Sequence, residues 1–72
     1  MLEGIEVDIW LVDDLSRPYG FRRWKNIPRI GDSIELGRDG GWSLGTVELV
    51  RWGQYRDRPD EQRVALFVKW KD

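Results

Sequence analysis

The sequence predicts a small all-β domain curled into a barrel, and three observations carry that prediction. Apolar and polar residues alternate with period two in "IEVDIWL" (residues 5–11) and "RVALFVKW" (residues 63–70), the pattern of half-buried strands. Glycine-containing turns punctuate the chain, above all Arg38-Asp39-Gly40-Gly41. No segment has a 3.6-residue apolar period of helical length, and β-branched and aromatic residues crowd the apolar positions. In so short a chain, closure is the usual way to avoid long exposed edges. The expectation is one domain over residues 1–72, with four to five antiparallel strands.

Ile5, Val7, Ile9 and Leu11 face one way along the first strand, against Glu6, Asp8, Trp10 and Val12. "DDLSRPYG" reads as a loop, because Pro18 and Gly20 punctuate it and Asp13-Asp14 favour turns. "FRRWKNI" reads as a short strand or an extended arm, with Pro28 biasing Ile27 toward extended geometry. Gly31-Asp32 turns into "SIEL", where Ile34 and Leu36 share a face. Asp39-Gly40 supplies the positive φ of a tight hairpin. A long strand then runs from Trp42 to Trp52, with Gly45 expected as a bulge or bend. "GQYRDRPDE" reads as a polar loop before the last strand, in which Val64, Leu66, Val68 and Trp70 share one face.

The span Ile30 to Val50 resembles SH3-like small barrels, and specifically the KOW motif. The matching residues are the Gly31-Asp32 turn, Ile34 and Leu36, the Gly40-Gly41 turn, and Gly45-Thr46-Val47. Where the loop of that family is usually basic, this turn carries Asp39 beside Arg38. The resemblance implies an SH3-like barrel and, through KOW, nucleic-acid binding. The acidic-aromatic signature of SH3 domains that bind proline peptides is missing.

Composition narrows the chemistry. The 72 residues contain neither cysteine nor histidine, so disulfides, thiolate metal sites and a serine–histidine triad are excluded. No calcium-loop spacing or phosphate-cradling glycine loop occurs. Asp57, Asp60 and Glu61, and the pair Asp13-Asp14, read as solvated loop acids. The expectation is a non-enzyme with no cofactor and no metal. An acidic beginning ("MLEGIEVDIW") and the lack of any apolar run near the ~20 residues of a membrane span point to a cytoplasmic protein with no membrane contact. Five tryptophans compensate for small size, and two or three of them in the core would go far toward stabilising it.

Net charge is only −1, yet it is segregated. The first fourteen residues hold five acids and no base. "SRPYGFRRWKNIPR" (16–29) holds Arg17, Arg22, Arg23, Lys25 and Arg29 with Tyr19, Phe21 and Trp24, and no acid. Three readings fit that stretch. In one it is a nucleic-acid grip, with cations on phosphates and rings stacked on bases. In another it is an arginine-and-aromatic hot spot for a protein partner. In the third, Phe21 and Trp24 are core and the arginines pair with the acidic first strand.

A second surface follows if the last two strands pair with Val47, Leu49 and Arg51 opposite Val68, Leu66 and Val64. Trp52 then faces Arg63, and Trp10, Val50, Trp52 and Phe67 form an outer apolar patch. The functional expectation is a non-catalytic interaction module that binds a protein partner. The alternatives are a KOW-like nucleic-acid binder using Arg17 to Arg29, and a homodimeric structural accessory protein.

Overall fold

The structure, a computed structural model, describes residues 4–54 and 62–71. Five strands and no helix form in them: β1 (Ile5–Leu11), β2 (Gly20–Trp24), β3 (Ser33–Arg38), β4 (Gly41–Gln54) and β5 (Gln62–Trp70). They make one sheet of order β2-β1-β5-β4-β3, curled into a half-barrel. "FRRW" is therefore strand, at the sheet edge. The acids of "DRPDE" lie outside the described residues.

Three of the four ladders are antiparallel, whereas β1 and β5 run parallel, with Val7 beside Val64 and Ile9 beside Leu66. A parallel pair needs a long crossover between its strands. Here β2, β3 and β4 supply it. Alternation within β1 identifies a strand but carries no information about its neighbour or direction, so this pairing differs from the all-antiparallel expectation.

The concave face holds the core. Val7, Ile9, Leu36, Val47, Val64, Leu66 and Val68 are fully buried, and Ile5, Trp24, Ile27, Ile34, Val50 and Trp70 pack around them. Each buried aliphatic contributes roughly 1.5–3 kcal/mol before entropy is counted. No tryptophan is among the fully buried side chains: Trp24 and Trp70 line the rim, while Trp42 and Trp52 are 69% and 54% exposed. Two indoles thus contribute to the core from its rim rather than from its centre. An indole carries a donor that must be satisfied if buried, and it is large for a cavity between strands of a half-barrel.

The β3–β4 hairpin turns on Asp39 and Gly40, both at positive φ (51° and 79°), as the Asp-Gly pair predicts. The bulge falls elsewhere than expected. Gly45 stays in register opposite Ile34 and Trp70, and its place is set by close packing against Val68. The register of β4 against β5 slips between Val47 and Leu49 instead, at Glu48.

The open side of the half-barrel is spanned at one end by side chains. The Tyr19 hydroxyl, just before β2, donates to the Gly37 carbonyl on β3, the opposite edge strand. The Tyr19 ring meets Trp70 edge-on at 5.6 Å, and the Arg38 guanidinium lies 4.5 Å from the Trp70 ring centre. Ile27, in the segment that leads from β2 to β3, packs against the core.

Candidate interaction surface

The bulge at Glu48 decides which side chains reach the convex face. Before it, Val47 pairs with Val68 in the core; after it, Leu49 pairs with Phe67 and Val50 with Leu66. Leu49 thus turns outward and is 49% exposed, while Val50 packs against the core. The expected outer patch of Trp10, Val50, Trp52 and Phe67 is corrected here. Val50 belongs to the concave side, Trp52 sits opposite core residue Val64, and Leu49 joins Trp10 and Phe67 outside. One extra residue in a strand inverts every side chain beyond it.

Three rows cross the convex face. The first runs Phe21, Asp8, Ala65, Arg51; the second Arg23, Glu6, Arg63, Gly53; the third Trp10, Phe67, Leu49. Trp10 and Phe67 stack at 6.4 Å with their planes 16° apart. Phe21, on the edge strand, is 60% exposed. Trp10, Trp52 and Phe67 with Arg51, Arg63 and Ala65 enclose a shallow cleft of about 220 Å³. A second groove of about 470 Å³, lined by Ile27, Pro28, Arg29, Ile30, Val50 and Trp52, opens on the other side of Trp52.

The charges of the face are largely neutralised within it. Asp8 is only 3% exposed, and its carboxylate accepts a hydrogen bond from the Arg63 guanidinium. A buried carboxylate without such a partner is costly. Arg23 lies 3.8 Å from Glu6 and donates to the Gly4 carbonyl at 3.1 Å. Trp52 does not face Arg63, which stands opposite Gly53. Arg51 is exposed and has no ion-pair partner among the described residues.

The basic-aromatic stretch is divided rather than gathered. Alternation along β2 sends Phe21 and Arg23 to the convex face and Trp24 toward the core. Arg22 is exposed and donates to the Phe21 carbonyl at 2.8 Å. Tyr19 is committed to the seam with Gly37 and Trp70. Arg17 stands exposed in the loop before β2, Lys25 just beyond β2, and Arg29 in the turn that its backbone N–H closes on the Asp32 carboxylate at 2.8 Å. The pairing of Arg23 with Glu6 and the packing of Trp24 against the core are what the third reading of this stretch predicts. Phe21, which that reading placed in the core, is exposed on the convex face because alternation along β2 turns it away from Trp24.

In the same loop, hydrogen bonds from the Ser16 hydroxyl (2.6 Å) and the Ser16 backbone N–H (3.2 Å) hold the Asp14 carboxyl below its ordinary pKa. Among the described residues, no three His, Cys, Asp or Glu side chains gather where a metal ion could be held. No helix there is long and apolar enough to cross a membrane.

Sequence reasoning missed Leu49 and Arg51 as parts of this surface. The signal that assembles them is the bulge at Glu48, and no residue type marks it. No protein-family model, curated protein or solved structure matches the chain, so the functional reading rests on this geometry.

Proposed function

We propose that this chain is a non-catalytic interaction module whose convex sheet face docks a protein partner. The half-barrel is compatible with a small SH3-like barrel, a scaffold that leaves one sheet face free for recognition. The observation that carries the reading is a contiguous row of Trp10, Phe67 and Leu49, flanked by exposed Phe21, whose neighbouring cations Arg23 and Arg63 are paired with Glu6 and Asp8. Aromatic residues and arginine are enriched at protein interfaces, whereas unpaired charge is depleted at their centres.

A KOW-like grip on nucleic acid ranks second on the same facts. Nucleic-acid affinity comes chiefly from cations that replace counterions at phosphates. Here two of the cations beside the rings, Arg23 and Arg63, are already paired with acids, and the other bases of the Arg17–Arg29 stretch are spread over both sides of the sheet and its loops.

Selection from a random peptide library against the folded protein tests the reading, with Phe67→Glu as the comparison. Phe67 is half-buried on the convex face, so the charge disrupts docking while leaving the concave core alone. Enriched peptides are expected to bind the wild type and to lose at least about tenfold in affinity on the folded variant, a loss of ~1.4 kcal/mol. Peptides that bind both proteins equally, or retention of random single-stranded RNA in place of any peptide, would overturn it.

A further inference from the structure

We infer that the cleft between Trp10, Trp52 and Phe67 receives an apolar or aromatic side chain from an acidic segment of the partner, with Arg51 holding the neighbouring carboxylate. The inference rests on the protein-docking reading and names the partner's chemistry.

Size limits what the cleft takes. Its volume of about 220 Å³ is below the ~300–1,000 Å³ of pockets that enclose small-molecule ligands. It suits one anchoring side chain, and Trp10, Phe67 and Trp52 are among the residues that line it. Anchors of this kind in desolvated pockets carry most of the energy at protein interfaces.

Charge selects the flank of that anchor. Of the two guanidinium groups lining the cleft, Arg63 is neutralised by buried Asp8. Arg51 has no ion-pair partner among the described residues and stands exposed on the convex face, one row from Phe67. Among the described residues the cleft mouth therefore keeps one positive charge, on a guanidinium group able to bind a carboxylate through two parallel hydrogen bonds. A phosphate backbone calls for a series of uncommitted cations, and among the described residues this cleft offers a single one. An acidic peptide is the better complement.

The test uses isotope-labelled full chain and three short synthetic peptides. Each has a central Phe, flanked by Asp and Glu, by Asn and Gln, or by Lys and Arg. Binding is followed by NMR at the indole N–H resonances of Trp10 and Trp52. The acidic peptide is expected to shift both resonances and to bind roughly ten- to hundredfold more tightly than its amide counterpart. In Arg51→Gln that preference disappears while the spectrum stays folded.

Equal binding of acidic and amide peptides at these resonances would overturn the acidic partner and leave the docking reading standing. If library-selected peptides shift Phe21 and Leu49 but never the two indoles, the cleft is the wrong seat, although the face is the right one. If single-stranded RNA shifts the indoles more tightly than any peptide, with a steep salt dependence, both the inference and the docking reading fall.

Discussion

Gly45→Ala is the sharpest test of the packing described above. Gly45 is buried within β4, between Ile34 on β3 and Trp70 on β5. A Cβ placed on it lies closer than 3.0 Å to Cγ1 of Val68, a separation real Cβ atoms essentially never show. Val68 is fully buried and β-branched, so its χ1 is restricted and it cannot swing out into solvent. Overpacking of this kind costs about 1–3 kcal/mol. Against it stands a gain of about 0.5–1 kcal/mol from replacing a strand glycine by alanine. The clash wins, and the net destabilisation is about 1–2 kcal/mol.

For a domain of this size each kcal/mol shifts Tm by about 4–8 °C, so Gly45→Ala should lower Tm by roughly 5–15 °C. Val68→Ala removes the obstructing methyls at a cost of about 1–3 kcal/mol of its own. In that background the added methyl group has room, and Gly45→Ala should become neutral or slightly stabilising. The double-mutant cycle, measured by urea denaturation, therefore yields a favourable coupling of about 1–3 kcal/mol. A neutral Gly45→Ala in the wild type, or additive effects in the double variant, would refute the close approach of β4 to Val68.

Three further outcomes are expected. Arg63→Met leaves the buried Asp8 carboxylate without its partner and should cost about 1–3 kcal/mol, while Asp8→Asn leaves a half-exposed arginine that water can solvate and should cost about 1 kcal/mol or less; urea denaturation that gives the reverse order contradicts the assignment. Tyr19→Phe removes the bond to the Gly37 carbonyl and should cost about 0.5–1.5 kcal/mol, with faster amide hydrogen exchange in β3, whereas unchanged exchange there would mean that Tyr19 does not close the seam. Asp14 titrates below an ordinary aspartate, first through the Ser16 hydroxyl and then through the Ser16 N–H; its contribution is complete above the ordinary carboxylate pKa and is lost as pH falls through the lowered folded value. Ser16→Ala should raise that pKa, and a carboxyl NMR titration that shows no change rules out the hydroxyl as its cause.

Much of the fold was legible because it is written locally. The Asp39-Gly40 turn could be read off two residues, since few residue pairs tolerate positive φ in succession. The alternation of Val64, Leu66 and Val68 against Arg63, Ala65 and Phe67 gave β5 and its buried face directly. The candidate site was less legible. Phe21 and Arg23 share the convex face with Trp10 and Phe67 only because β2 and β5 flank β1 on its two edges. Leu49 and Val50 exchange faces only because Glu48 is an extra residue in the β4–β5 ladder.

The sequence by itself determined the all-β character, the tight β3–β4 hairpin, the aliphatic core faces and the absence of histidine and cysteine chemistry, because each depends on residue type and short-range spacing. The tertiary structure alone decided the parallel β1–β5 pairing, the register of β4 and the pairing of Asp8 with Arg63. The same holds for the placement of Arg51 beside an aromatic cleft. Those features depend on which strands become neighbours and at what offset. A one-residue slip in pairing leaves the local sequence signal untouched and yet moves a side chain from the core to the solvent.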